Sequence, residues 1–134
     1  MSDCIFCKIV KGEIPAHKVY EDENLLVMLD INPLSKGHVL VFPKGHYENI
    51  HDIPEDVLMK LTSVVKKMSQ RIKERLHPEG IIVMQNNGVK AGQSVFHFHI
   101  HIKPVYEDTP VSSEAHLRKK LTTEEFSEIC RTLQ

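Results

Sequence analysis

The chain of 134 residues has no tryptophan, only three cysteines and no surplus of either charge, since 17 Lys and Arg stand against 18 Asp and Glu. A formal net charge of −1 offers no basic face to gather nucleic acid or an anionic membrane, so neither is an expected partner. Three cysteines cannot all pair, and Cys4 and Cys7 are too close to clip a long loop, which excludes a secreted disulfide framework. The longest apolar runs fall far short of the roughly 20 residues that span a bilayer. The opening Met1-Ser2-Asp3-Cys4, with Lys8 and Lys11 soon after, has neither the basic start nor the apolar stretch of a secretory signal. A cytoplasmic location is therefore expected. The length suits one ordinary domain over 1–134, able to bury roughly two-thirds of its unfolded surface without staples. What the chain has in quantity is histidine, nine in all.

The hydrophobic pattern predicts an α+β protein. Cys4-Ile5-Phe6-Cys7-Lys8-Ile9-Val10, ended by Gly12 and Pro15, reads as about two turns of helix. Strands are expected at 18–21, 24–30, 38–42, 80–85 and 96–105, the second nearly all apolar and so central. Between the third and fourth, Val57, Leu58, Leu61, Val64, Val65, Met68, Ile72 and Leu76 recur at helical spacing and stop at His77-Pro78. Asp52-Ile53-Pro54-Glu55 has the form of a capping box for this helix, and Thr122-Thr123-Glu124-Glu125 has it for a terminal one.

The row His97-Phe98-His99-Ile100-His101-Ile102 is the sharpest chemical feature. Side chains alternate faces along a strand, so the three imidazoles share one face, about 6.6 Å apart in succession, with Phe98, Ile100 and Ile102 turned to a core. Such a row can share a metal, or one imidazole can act as nucleophile while its neighbours orient and neutralise charge. Gly92-Gln93-Ser94, just upstream, supplies an amide, a hydroxyl and backbone N–H groups suited to phosphoryl oxygens. No carboxylate base lies in this strand or loop, which favours phosphate chemistry over a hydrolytic metal. Cys4-x-x-Cys7 has the spacing for two sulfurs on one zinc, for a redox pair, or for simple burial of two thiols. His38 enters an apolar strand and His46 follows it. His17, His51, His77 and His116 read as ordinary structural histidines.

With these residues assembled, the sequence resembles the histidine triad (HIT) superfamily of nucleotide hydrolases and transferases, most nearly its small bacterial-type, Hint-like branch. Gly92-Gln93-Ser94-Val95-Phe96-His97-Phe98-His99-Ile100-His101 matches the family signature. The likeness extends from Cys4 to about Pro104 and takes in Leu29-Asp30-Ile31, 37–46 and 86–88, leaving 105–134 as a C-terminal helical extension. It implies a five-stranded antiparallel sheet with one long and one short helix, two copies joining into a ten-stranded sheet in a homodimer. It further implies a purine nucleotide hydrolase, acting on a nucleoside phosphoramidate or related nucleotide through a nucleotidyl-histidine. His99 would be the nucleophile, His101 the acid at the leaving group and His38 their support. Asp30 would bind the ribose, Phe6, Ile9, Leu29 and Ile31 would line the base slot, and Asn86, Gly92, Gln93, Ser94 and Val95 the phosphate side. Cys4, Cys7, His46 and His97 would hold one structural zinc per chain, with no organic cofactor. The competing readings are a dinucleoside polyphosphate hydrolase, a non-catalytic nucleotide-binding module, and a catalytic metal on His97, His99 and His101.

Overall fold

A computed structural model describes residues 3–110 and 120–134. His116 lies outside these. The elements run α1 (Ile5–Val10), β1 (Lys18–Glu21), β2 (Leu25–Leu29), β3 (Val39–Pro43), α2 (Glu55–Leu76), β4 (Gly80–Met84), a 3-10 turn (Val89–Ala91), β5 (Ile100–Val105) and α3 (Thr123–Leu133). All strands pair antiparallel in one sheet of order β1-β2-β3-β5-β4. β2 and β3 are buried along their whole length, because each face of the sheet is covered. On one face Val27, Leu29, Val39, Val41, Phe98, Ile100 and Ile102 meet Leu61, Val65, Met68 and Ile72 of α2 and Phe126, Ile129 and Leu133 of α3. On the other, Leu26, Met28, Leu40 and Phe42 meet Phe6 and Ile9 of α1. The near-continuous apolar character of β2 follows from this double cover.

The helix ends divide the two sequence predictions. Thr122 forms the capping box, its hydroxyl accepting from Glu125 N–H while the Glu125 carboxylate accepts from Thr122 N–H. Asp52 does not cap α2. The cap position is Pro54, with no side-chain hydrogen bond, and the Asp52 N–H turns back to the Asn49 carbonyl. Proline at the cap already presets the chain for helix entry, and Glu55 and Asp56 meet the positive end of the helix dipole instead. At the far end His77 adopts a left-handed conformation, φ +53°, before Pro78 ends the helix. Among the described residues of the extension after Pro104, α3 is the helix, and β5 runs on to Val105.

β5 begins later than the alternation suggests, at Ile100 rather than at 96. Its ladder with β3 spans Val39–Ile102, Leu40–His101 and Val41–Ile100. Upstream, the Phe98 N–H donates to the Tyr47 carbonyl, and the His97 Nε2–H donates to the Pro43 carbonyl at 2.8 Å. A side chain thus takes the acceptor that a ladder N–H would have used. The alternation of faces survives, because Phe98, Ile100 and Ile102 all remain in the α2-side core. Gly37 sets the turn into β3: its φ is +92°, where any side chain is strained, and a Cβ there would press on Leu76 Cδ1 and displace it. Among the described residues, no helix is long and apolar enough to cross a membrane.

Candidate functional site

Two clusters and one cavity meet along the histidine row. Cys4, the N-cap of α1, and Cys7 on α1 face His46, which follows β3, and His97. Sγ of Cys4 lies 3.4 Å from His97 Nδ1, and Sγ of Cys7 lies 3.4 Å from His46 Nδ1 and 3.6 Å from His97 Nδ1. All four donor atoms fall within 4.8 Å of one another. A tetrahedral zinc with ordinary Zn–S and Zn–N bonds separates sulfur from nitrogen by about 3.6 Å, so the spacing and the donor set both fit that ion. The His97 tautomer fits as well. Its Nε2 must carry the proton given to the Pro43 carbonyl, which leaves the Nδ1 lone pair toward the sulfurs. Burial holds the His97 pKa down to about 4, the Pro43 bond opposing and the neighbouring His46 and His99 adding to the depression. Burial also pushes the Cys7 thiol up, assisted by the hydrogen bond and charge of Cys4.

A cavity of about 240 Å³ opens beside this cluster, and its wall includes Phe6, Ile9, Leu29, Asp30, Ile31, Ser94, Val95, His99 and His101. The structure therefore gathers the expected base-slot residues, the expected ribose ligand and two of the three row histidines at one place. Ile5, Ile14, Pro15, Ala16, Met28 and Leu40 also line it. Sequence reasoning missed these. Met28 and Leu40 are cross-strand partners whose shared face could be read from the alternation, whereas the approach of 14–16 depends on the turn after α1.

Three residues expected on the phosphate side do not line the cavity. Gln93 is buried, its Nε2 donating to the Glu48 and Val95 carbonyls and its Oε1 accepting from Gly88 N–H. An amide spent on the backbone holds a loop in shape and has no donor left for a phosphoryl oxygen. Asn86 Nδ2 donates to the Ala91 carbonyl at 2.6 Å. Gly92, at φ +93°, is where a Cβ would come within 3.3 Å of that same Asn86 Nδ2. Together they shape the 3-10 turn that delivers Ser94 and Val95.

The hydrogen bonds settle the proton positions on the imidazoles. His99 Nδ1 lies 2.7 Å from the His97 carbonyl. A carbonyl only accepts, so Nδ1 carries the proton and Nε2 presents a lone pair. Burial lowers the His99 pKa, with the His97 bond and the Asp30 charge opposing, which favours the neutral ring. His101 takes the other tautomer. The Leu34 N–H donates to His38 Nδ1 at 2.9 Å, which puts the His38 proton on Nε2, 3.0 Å from His101 Nδ1 and 3.4 Å from Asp30 Oδ2. His101 Nδ1 thus accepts, and its proton sits on Nε2. The His99 and His101 rings are 4.9 Å apart, edge to face.

This arrangement disfavours the catalytic-metal reading. His97 commits its two nitrogens to Pro43 and to the sulfurs, and His99 commits Nδ1 to a carbonyl, so the three imidazoles do not converge on one point. Asp30, His38 and His101 also bring donor atoms within 4.8 Å. To ligate through Nε2, however, His38 would have to give up its one ring N–H proton and become an anion, or break its bond with Leu34. Lys103, unflagged by the sequence reading, continues the row on the same face of β5, buried with Nζ 3.7 Å from Met84 Sδ.

A five-stranded antiparallel sheet that sets two histidines of opposite tautomer on an apolar-walled cavity, beside a Cys2His2 cluster, defines a class of small α+β proteins. The HIT domain profile matches residues 11–108, and the chain belongs to that family. It is 48% identical over 104 residues to "Protein hit" of Bacillus subtilis, covering 78% of this chain and 72% of that one. It is 46% identical over 107 residues to "Adenosine 5'-monophosphoramidase HNT1" of Candida albicans, covering 77% of this chain and 70% of that one. Its fold is similar to the crystal structure of a zinc-bound histidine triad family protein from Mycobacterium smegmatis, with a TM-score of 0.86, 35% identity, and coverage of 98% of this chain and 93% of that one.

Proposed function

We propose that this protein is a cytoplasmic nucleotide hydrolase that cleaves the bond to the α-phosphate of a purine nucleoside phosphoramidate or related nucleotide. The observation that carries the reading is the pair of opposite tautomers on one cavity, a lone pair on His99 Nε2 and a proton on His101 Nε2. In the first step His99 Nε2 forms a bond to the α-phosphorus, and the bond from phosphorus to the leaving amine breaks. The amine nitrogen takes the His101 Nε2 proton as it departs, while the His38 Nε2 proton shifts toward His101 Nδ1 along their 3.0 Å bond and offsets the charge left on that ring. In the second step water attacks the nucleotidyl-histidine, its proton goes to His101, and AMP leaves with His99 restored. One displacement is thereby divided into two easier ones. His38, held by the Leu34 N–H, keeps His101 in the required tautomer. The Candida relative's name supports an adenylyl substrate. Turnover of adenosine 5'-phosphoramidate to AMP tests the reading, and its absence would overturn it. Competition against a dinucleoside polyphosphate separates the two leaving-group classes.

Asp30 fits the ribose hydroxyls, since it lies on the cavity wall with Oδ1 fixed by the Asn32 N–H at 2.8 Å. Hydrogen bonds to an ionised acceptor are worth about 1.5–3 kcal/mol. Asp30→Ala is therefore expected to weaken AMP binding by about tenfold or more, and to weaken a dideoxyribose analogue much less. Titration of both ligands checks this; equal losses would remove Asp30 from ribose recognition.

The Cys4, Cys7, His46 and His97 cluster is proposed to hold one structural zinc. A closed Cys2His2 set would supply a crosslink between α1 and the sheet rather than a Lewis acid at the substrate. Metal analysis is expected to find one zinc per chain, kept in His99→Ala and lost in Cys7→Ala. The homodimer is proposed to form along β4, a sheet edge where Val83 is 54% exposed, with Met59 of α2 70% exposed. An uncovered apolar edge is a pairing surface, and Lys blocks such pairing. Val83→Lys is expected to shift the protein to monomer in sedimentation.

A further inference from the structure

The helix α1 has six residues, about 9 Å of helix, where an isolated helix needs roughly 12–15 residues even to be marginal in water. Its order must come from what it touches. It packs Phe6 and Ile9 on Leu26, Met28, Leu40 and Phe42 of the sheet, and it borders both the cluster and the cavity. Cys4, its N-cap, and Cys7 face His46 and His97, while Phe6 and Ile9 form part of the cavity wall. The Phe6 ring joins the two sides. It stacks on Phe42 with centroids 4.5 Å apart, and meets His97 and His99 edge-on at 5.6 and 5.1 Å. Leu29 and Asp30, also on the cavity wall, belong to β2 and its exit, and Leu29 is anchored in the sheet by its pairing with Val39.

We propose that Cys4 and Cys7, through the ion they hold with His46 and His97, are positioning residues for the nucleotide, so that metal occupancy sets the affinity of the base slot. This rests on the nucleotide reading above. Metal ligation fixes α1 against the sheet and with it Phe6 and Ile9, so the bound base meets a wall already in place. Without the ion only apolar packing and thiol–imidazole bonds hold the helix, and part of the binding free energy goes into ordering it. Linkage makes the effect reciprocal: whatever factor the metal adds to nucleotide affinity, the nucleotide adds to metal affinity.

The test compares AMP affinity of zinc-loaded protein and of protein stripped by a chelator, by calorimetry. The Kd of AMP is expected to rise about tenfold on stripping, within the range typical of coupled sites. In a second measurement, folded zinc-loaded protein competes with a colorimetric chelator with and without saturating AMP, and AMP should strengthen zinc retention by the same factor. That measurement holds even if the stripped protein unfolds. Phe6→Ala, which keeps all four ligands, should lose most of this retention at its own saturating AMP. Equal AMP affinity in both forms, together with AMP-independent retention, overturns the proposal, as does full AMP-dependent retention in Phe6→Ala. If zinc-loaded protein binds no AMP at all, the nucleotide reading itself has failed and this inference fails with it.

Discussion

Replacing His99 with alanine is expected to lower AMP release from adenosine 5'-phosphoramidate by about 10⁴-fold or more, the scale lost when a covalent nucleophile is removed from a site whose parts act as a unit. The argument is local. Nε2 of His99 is the imidazole lone pair on the cavity wall, held there by a 2.7 Å bond from Nδ1 to a carbonyl two residues back. His101 cannot substitute, because its accepting nitrogen is already used by His38 at 3.0 Å. The fold should survive, since the lost contacts are one ring pair with His101, one with Phe6 and a single hydrogen bond. Brief mixing with substrate, acid quench and mass analysis should find a nucleotidyl group on the wild-type peptide bearing His99 and none on the variant. Rates within tenfold of one another, or an adduct elsewhere, would remove His99 from the chemistry. A stable adduct that never turns over would instead favour a binding module.

Phe98→Ala should be the most damaging single change to stability near the site. Phe98 is 1% exposed, sits in the α2-side core with Ile100 and Ile102, and lies between His97 and His99. Truncating a buried Phe to Ala costs about 3–5 kcal/mol, from lost apolar transfer and the cavity left behind. In a domain of this size that lowers the melting temperature by about 10 °C or more. The effect should reach the site, because 97–99 is not held by a strand ladder. Its anchors are the Phe98 N–H to Tyr47, the His97 ring to Pro43 and the Phe98 ring in the core. Thermal and urea unfolding of Phe98→Ala beside Phe98→Leu checks this. Leu should recover most of the loss, and a loss below about 1 kcal/mol for Ala would show that the segment is held elsewhere.

Much of this molecule is legible one residue at a time. The all-apolar β2, the stripe of α2 and the Thr122 capping box follow from period and from cap chemistry, both of which act within a few residues. The alternation from His97 to Ile102 separates histidine from core on the same local ground. Two side chains bond otherwise than their local pattern suggests. Asp52 has a capping form yet does not cap, because Pro54 takes the position and the Asp52 N–H finds Asn49 instead. Gln93 carries donors suited to phosphate yet spends them on Glu48 and Val95. For Gln93 one winning acceptor, the Glu48 carbonyl, is brought in only by the fold, whereas for Asp52 the competitors are near neighbours; in neither case does sequence spacing rank the partners.

The same division holds for chemistry. By itself the sequence determined which residue types were at hand: an alternating histidine row, a C-x-x-C, a glycine-rich loop and one acidic residue after an apolar strand. The backbone periods of 2 and 3.6 then place side chains on faces without reference to the rest of the fold. Only the tertiary structure decided what each imidazole is. His97, His99 and His101 are chemically identical and evenly spaced, yet Pro43 and the two cysteines make the first a candidate ligand. A backbone carbonyl makes the second a lone-pair donor, and His38 makes the third a proton donor. An imidazole's role depends on which nitrogen holds the proton, and that is fixed by partners that folding alone brings within 3 Å.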